Sequence, residues 1–236
     1  MDLSSTRLAI LGGTGPQGRG LAGRFAAAGL SVAVGSRDLR RAAEAAEQAS
    51  GTALRLAAAV DDDDVDGRGA GPVVGGSNVD VCDTADVVVL AVPWSAHAET
   101  LRDLGHVLRE RVVVDCVNPL GFDDRGPYAL AVDEGSAAEQ AQALLPHARV
   151  VAAFHHVSSV LLLDPEVGSL DTDVLVLGDD RDAAETVIGL AGSVRGMRGI
   201  FGGRLRNAHQ VEALSANLIA INRRYQAHAG LRITDV

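Results

Sequence analysis

The chain contains no lysine; all 21 of its basic residues are arginine. That absence removes Schiff-base chemistry on a lysine amine, the phosphate-binding lysine of P-loop proteins and lysine as a general acid. Kinase-like and pyridoxal-dependent activities are excluded with it, as are dehydrogenases that protonate a carbonyl or imine through lysine. Cysteine is scarce too. Cys82 and Cys116 are the only two, too few for a disulfide framework, and they read as buried thiols in a reducing cytoplasm. No apolar run reaches the roughly 18 residues that a membrane span requires. The opening MDLSSTR lacks a basic segment leading into an apolar core, so no signal peptide is expected. Positive charge is in deficit, with a formal net charge of −10. So acidic a chain gains little from a phosphate polymer, and nucleic acid is not an expected partner. Any small anionic ligand must be held by local cations against the field of the whole molecule.

What is present is a repeated alternation of short apolar runs and helical segments. RLAILGG (7–13), SVAVGS (31–36), DVVVLAVP (86–93), RVVVDCVNP (111–119), RVVAAFHH (149–156), DVLVLGDD (173–180) and MRGIFGG (197–203) read as buried strands. Helical spacing fills the intervals, and residues 206–230 form one long helical stretch. Strands that do not alternate between apolar and polar positions are covered on both faces. The expected fold is therefore α/β: a Rossmann-type, doubly wound, mainly parallel sheet. Residues 61–78, DDDDVDGRGAGPVVGGSN, break the rhythm and read as an exposed acidic loop rather than a metal site, because nothing in them fixes ligand geometry. No metal is expected elsewhere, and there is no internal repeat.

The first apolar run is followed at once by Gly13-Thr14-Gly15-Pro16-Gln17-Gly18, a match to G-x-G-x-x-G between a strand and a helix. Its glycines allow a tight turn, close approach of a pyrophosphate to the backbone, and close packing of helix on strand. The helix that starts here offers free N–H groups and the positive end of its dipole to phosphates. The second strand ends in VGSRDLRR. An NAD site wants a carboxylate there to bind the ribose 2′-hydroxyl; Ser36 and Arg37 stand in that place. Arginine pairs with a 2′-phosphate that a carboxylate would repel, and Arg41, one turn into the helix, reaches the same point. The preferred nucleotide is therefore NADP(H), with Arg40 less well directed and Asp38, an early helical residue, able to turn away.

Two further strand ends open on the same crevice. AVPW places Pro93 and Trp94 as a wall for the nicotinamide, and VNP places Asn118 within reach of its ribose or amide. Asp115 belongs to the strand end rather than to catalysis. His155 and His156 sit at another strand end. Neighbours in an extended segment point to opposite faces, so one is expected in the packing and one at the site. Glu212, on the long terminal helix, is expected to cap or pair.

Together, LGGTGPQGRGLA, VGSRDLRR, VVVLAVPW, VNPLGFDDRGPYAL, SAAEQAQALLP and AAFHHVSS resemble the NADPH-dependent reductases of the deazaflavin coenzyme F420, the actinobacterial members most of all. The likeness runs from Leu8 to about Ile233 and departs in the acidic loop 61–72, which is longer here. The resemblance implies reversible, direct hydride transfer between NADP(H) and coenzyme F420 and a homodimer. It also implies an NADP-binding domain over 1–155 and a smaller C-terminal part over 156–236 that completes the deazaflavin site. It places Thr14, Gly15, Pro16, Gln17, Ser36, Arg37, Arg41, Trp94, Asn118 and Ser159 along the NADP and a backbone contact from Leu205 on the deazaflavin. No side chain need act as an acid or nucleophile, with His155 a helper. Arginines among Arg195, Arg198, Arg204 and Arg206 are expected toward the anionic coenzyme tail. Two other readings remain: a non-catalytic NADPH sensor, and a carbonyl or imine reductase with His155, His156 or Tyr128 as proton donor.

Overall fold

A computed structural model describes residues 3, 5–59 and 69–236. Among the described residues there are ten strands: β1 (Arg7–Leu11), β2 (Ser31–Ser36), β3 (Val73–Ser77), β4 (Val87–Leu90), β5 (Val112–Asp115), β6 (Leu120–Asp123), β7 (Gly126–Ala129), β8 (Arg149–Ala152), β9 (Thr172–Gly178) and β10 (Met197–Gly203). The helices are α1 (Pro16–Ala27), α2 (Leu39–Ala58), α3 (Asn78–Thr84), α4 (Trp94–Leu104), α5 (Ala137–Leu144), α6 (Ser159–Leu163), α7 (Arg181–Ser193) and α8 (Ala208–Tyr225).

Eight strands form one sheet in the order β10-β9-β8-β5-β4-β1-β2-β3. From β3 to β8 all neighbours are parallel; β9 runs antiparallel to β8, and β10 parallel to β9. The valine-rich β4 and β5 are buried at every position, as a sheet covered on both faces requires. One apolar cluster joins Ile10, Val34, Val89 and Val114 to Leu21, Phe25 and Ala49 of α1 and α2. The other joins Leu11, Val88 and Val113 to Leu101, Ala141 and Val211 of α4, α5 and α8. Chain order reverses between β1 and β4, so the carboxyl ends of these two strands frame a ligand crevice. Both cysteines are buried and free.

Three differences from the sequence reading have clear causes. The stretch after residue 69 is not all loop, because Val73–Ser77 forms edge strand β3. Its two valines are followed by two glycines, too short an apolar signal to read. Gly75 is required there because a Cβ would lie 2.5 Å from the backbone carbon of Ala42 on the covering helix α2. The acidic run itself, within 60–68, lies outside the described residues. Residues 120–129, in an interval between expected strands, form the hairpin β6–β7; Arg125 N donates to Asp123 Oδ1 (2.8 Å) in its turn. Finally, β8 stops at Ala152, so His155 and His156 lie in a turn and not on an extended strand.

Residues 156–236 add β9 and β10 to the same sheet. Because Ala152 of β8 faces Leu177 of β9, the first half of β9 projects past the end of β8 and stands beside the crevice. Arg24 ties the segment between them to α1. Its guanidinium, on a residue only 3% exposed, donates to the carbonyls of Leu162 (3.0 Å), Val167 (2.6 Å), Leu161 (2.6 Å) and Asp164 (2.8 Å). This fixes α6, and with it Ser159, over the start of α1.

Candidate dinucleotide and second-carrier site

The turn between β1 and α1 closes with Gly15 N donating to Gly12 O (2.9 Å). Gly12, which the motif match passed over, is the residue in the left-handed region (φ 76°). A Cβ on it would meet Ala91 O at 2.4 Å, so the turn is pressed against the end of β4. Gly18 is equally constrained, since its Cβ would stand 2.8 Å from Gly12 O and from the Cα of Gly13. Pro16 opens α1 behind Gly15, and no side chain caps this end. Its first-turn N–H groups are left for an anion.

Beyond the end of β2 lies a cavity of about 260 Å³ lined by Gly12, Thr14, Ser36, Arg37, Arg41 and Pro93, together with Asn78 and Thr100. Asp38 also borders it, but its carboxylate caps α2, accepting from Arg40 N (2.9 Å) and Arg41 N (3.2 Å). Ser36 Oγ accepts from Asp38 N (3.1 Å), which leaves its own proton to donate. Arg40 reaches back to Glu44 (3.8 Å). Asn78 was missed because β3, which delivers it, was read as loop.

A second cavity, of about 660 Å³, is lined by Gln17, Asn118, His155, His156, Ser159 and Ser215, with the end of α8 and residues 226–229 closing one side. Phe154 holds a left-handed backbone (φ 62°) and packs edge-on against Phe25, with ring centroids 5.7 Å apart. This bend turns the chain out of β8. Three side chains then pin it: Gln17 Nε2 donates to Phe154 O (3.1 Å), and Asn118 Nδ2 (2.9 Å) and Ser215 Oγ (3.0 Å) both donate to His155 O. His155 and His156 therefore both line the cavity, against the expectation that an extended segment would separate them. Burial pushes each imidazole down from 6.5 to about 4, so both are neutral near pH 7. Among the described residues no three His, Cys, Asp or Glu side chains gather as a metal site.

The remaining residues fall as follows. Gly13 is buried and packed on Val34, and Gly15 and Pro16 form the turn. Trp94 stands next to Pro93 at the start of α4, against the ring of His97. Leu205 is buried among Val113, Ala137 and Val150 and lines neither cavity. Arg198 is bound to the buried carboxylate of Asp173 (2.7 Å), and Arg204 faces Asp179 (3.7 Å). Glu212 caps α5, accepting from Ala137 N (2.9 Å) and Ala138 N (3.1 Å); burial holds its carboxyl up to about 7. Tyr128 is exposed on the hairpin.

In folded proteins nearly every buried polar atom has a partner. Among the described residues the buried side-chain atoms without one are Asn78 Oδ1, Asn118 Oδ1, both ring nitrogens of His155 and His156 Nδ1. Every one belongs to a residue lining one of these two cavities.

Fold and site together define a dinucleotide-binding oxidoreductase of the Rossmann class with room for a second ligand beside the nucleotide. Residues 7–119 match the family described as NADP oxidoreductase, coenzyme F420-dependent. The chain is 39% identical over 235 residues to the F420-dependent NADP reductase of Methanothermobacter thermautotrophicus, covering 98% of this chain and 95% of that one. It is 34% identical over 233 residues to the enzyme of the same name from Methanocaldococcus jannaschii, covering 98% and 99%. It belongs to the F420-dependent NADP reductase family. Among solved structures, one described as an F420-dependent NADP reductase from an Arthrobacter species superposes with a TM-score of 0.76 at 27% identity, covering 98% of this chain and all of that one. A reductive aminase from Aspergillus terreus, at 16% identity and a TM-score of 0.60, shares the fold.

Proposed function

We propose that the 2′-phosphate of NADP sits in the 260 Å³ cavity on Ser36, Arg37 and Arg41. Its pyrophosphate then crosses the turn Gly13-Thr14-Gly15-Pro16-Gln17-Gly18. Its nicotinamide end follows Pro93, Trp94 and Asn118 toward Ser159 and the 660 Å³ cavity, which takes the deazaflavin. The enzyme is an NADP-dependent oxidoreductase acting on coenzyme F420. It moves a hydride in either direction between C4 of the nicotinamide and C5 of the deazaflavin.

The observation that carries this placement is the distribution of unpartnered buried polar atoms. Each is a buried donor or acceptor without a partner within the protein, and all belong to residues lining the two cavities that share the glycine turn. A carbon-to-carbon hydride transfer needs no proton at the reacting atoms, so no side chain need be nucleophile or obligatory acid. The residues supply proximity, orientation and exclusion of water. The neutral ring of His155 is the helper, a preorganised donor for negative charge developing on the pyrimidine side of the deazaflavin. In this arrangement residues 1–155 hold the nucleotide and residues 156–236 complete the second site.

The sensor reading is not favoured, given relatives that are reductases over nearly the whole chain. Adding NADPH to the enzyme with oxidised deazaflavin is the direct test. The long-wavelength deazaflavin absorbance should fall and return on adding excess NADP; a nucleotide that binds without bleaching the deazaflavin would reinstate the sensor.

We further infer a cytoplasmic homodimer without nucleic-acid partners. Its support is the net charge of −10 and the exposed apolar side chains Phe122, Tyr128, Ile221 and Tyr225. Among the described residues no helix is long and apolar enough to cross a membrane. Light scattering at the monomer mass of 24.3 kDa would refute the dimer.

A further inference from the structure

A buried polar chain links α5, α4 and the end of β5 without lining either cavity. Gln140 donates through Nε2 to Glu134 Oε2 (3.1 Å), so its amide oxygen turns the other way, toward His97 Nδ1 (3.0 Å). An amide oxygen only accepts, so Nδ1 must carry a proton. The opposite nitrogen, Nε2, lies 2.7 Å from Asp115 Oδ2. A carboxylate only accepts, so Nε2 must carry one as well. The second oxygen of Asp115 accepts from Val117 N (2.9 Å), the residue before Asn118. The His97 and Asp115 side chains are both 0% exposed.

A neutral imidazole would set a bare lone pair against either the Gln140 oxygen or the Asp115 carboxylate, acceptor to acceptor in a dry interior. Burial alone would strip the charge from His97. The hydrogen bond and charge of Asp115, the Gln140 oxygen and the more distant Glu212 on α8 outweigh it and hold the imidazole above its ordinary range. The ring also meets Trp94, one turn earlier on α4, with centroids 5.3 Å apart and planes tilted by 36°, within reach of a cation–π attraction.

We propose that His97 is an imidazolium at neutral pH, and that its pair with Asp115 is a positioning unit. It fixes Trp94 on one side and the Val117–Asn118 turn on the other, the two walls of the nicotinamide end. The proposal rests on the NADP placement given above. His97 touches neither carrier; it acts through Trp94 and Asn118.

The protonation half is read on the unliganded full-length enzyme by ¹⁵N NMR of labelled histidine. His97 is assigned by its proximity to Trp94, the only tryptophan in the chain, so no variant is needed. Both ring nitrogens should still carry their protons at about pH 7, where an ordinary histidine has lost one. A His97 ring that is already neutral at that pH overturns the proposal. The positioning half is read with His97→Gln, which keeps a donor for Asp115 but no charge. Its kcat/KM for NADPH should fall roughly tenfold to a hundredfold, as displaced contacts do elsewhere, with the preference for NADPH over NADH unchanged. A folded His97→Gln enzyme with native kcat and KM overturns the positioning role. Arg37→Ala serves as the control. If it abolishes the NADPH preference, the NADP placement stands whatever His97 does; if it does not, the placement fails and the positioning role with it, while the NMR result still decides the protonation state.

Discussion

Acid should destabilise this enzyme through two histidines that its second cavity keeps uncharged. His155 and His156 are 5% and 4% exposed, and burial pushes each from 6.5 down to about 4. The unfolded chain takes up a proton on each near 6.5, the folded chain only near 4. The stability they confer is therefore full above 6.5 and is lost as the pH falls toward 4. Between pH 7 and pH 5 each histidine costs roughly 2 kcal/mol, rising to roughly 3 once both values are passed. Glu212 acts in the opposite sense. Its carboxyl is held at about 7 against an ordinary 4.5, so its contribution is full below 4.5 and disappears as the pH rises through 7. Acidification over the same interval returns roughly 2 kcal/mol from it. The native enzyme should then lose about 2 kcal/mol net, a sizeable share of the roughly 5–15 kcal/mol a domain possesses. His155→Gln removes one of the two losses and should make stability nearly independent of pH over this interval, whereas Glu212→Gln should deepen the loss to about 4 kcal/mol. Urea unfolding at a series of pH values, without either carrier, measures all three proteins. If the native and His155→Gln curves run parallel, the histidine is not held neutral by burial and the argument fails.

Arg37→Ala should raise the KM for NADPH by roughly 10- to 150-fold, the value of one charge-assisted hydrogen bond of about 1.5–3 kcal/mol, and leave that for NADH nearly unchanged; equal effects would remove the 2′-phosphate assignment. Gly12→Ala forces a Cβ to 2.4 Å from Ala91 O at a φ of 76° and should destabilise by more than about 1 kcal/mol, with weaker nucleotide binding. Gly51→Ala, inside α2 with open space around its Cβ, should instead stabilise by about 0.5–1 kcal/mol. Thermal melts of the two variants should move in opposite directions. Deuterium on C4 of NADPH should arrive at C5 of the deazaflavin; label recovered in water, by mass spectrometry of the product, would rule out direct transfer.

The parallel strands were legible because each is a short run of buried valines, leucines and alanines with a glycine, proline or helix signal after it. The nucleotide turn was legible because its function demands residues without side chains. Ser36, Arg37 and Arg41 could be placed because strand length and helix pitch fix where β2 ends and α2 begins. Where tertiary packing decides, the sequence was silent. Two of the five residues of β3 are glycines, and the strand exists because β2 offers an unpaired edge and α2 a covering face. The turn at Phe154 rests on edge packing against Phe25 and on three hydrogen bonds from residues as distant as Gln17 and Ser215. No local pattern reports it, and so the relation of His155 to His156 was misread. His97 gave no signal because its partners, Asp115 and Gln140, lie on other elements and are adjacent only once the sheet has formed.

These features share one physical logic. An enzyme that only brings two carriers together has no acid or nucleophile to place, so its demands fall on orientation and on the polarity of the walls. On the proposed placement, strongly charged groups are kept where charge on the ligand is permanent, at the Ser36–Arg37–Arg41 cavity. The second cavity presents Asn118, Ser159, Ser215 and two neutral imidazoles; on the proposed placement Ser159 and the imidazole N–H groups can donate to a developing negative charge without fixing the resting charge of the ring in either oxidation state. The charged His97–Asp115 pair sits outside both linings, sealed from water, where it can hold the walls without meeting the reacting atoms. Buried atoms of Asn118, His155 and His156 have no partner within the protein and face the second cavity. On the proposed placement the ligand supplies partners for these atoms, and that binding energy is available to align two rings.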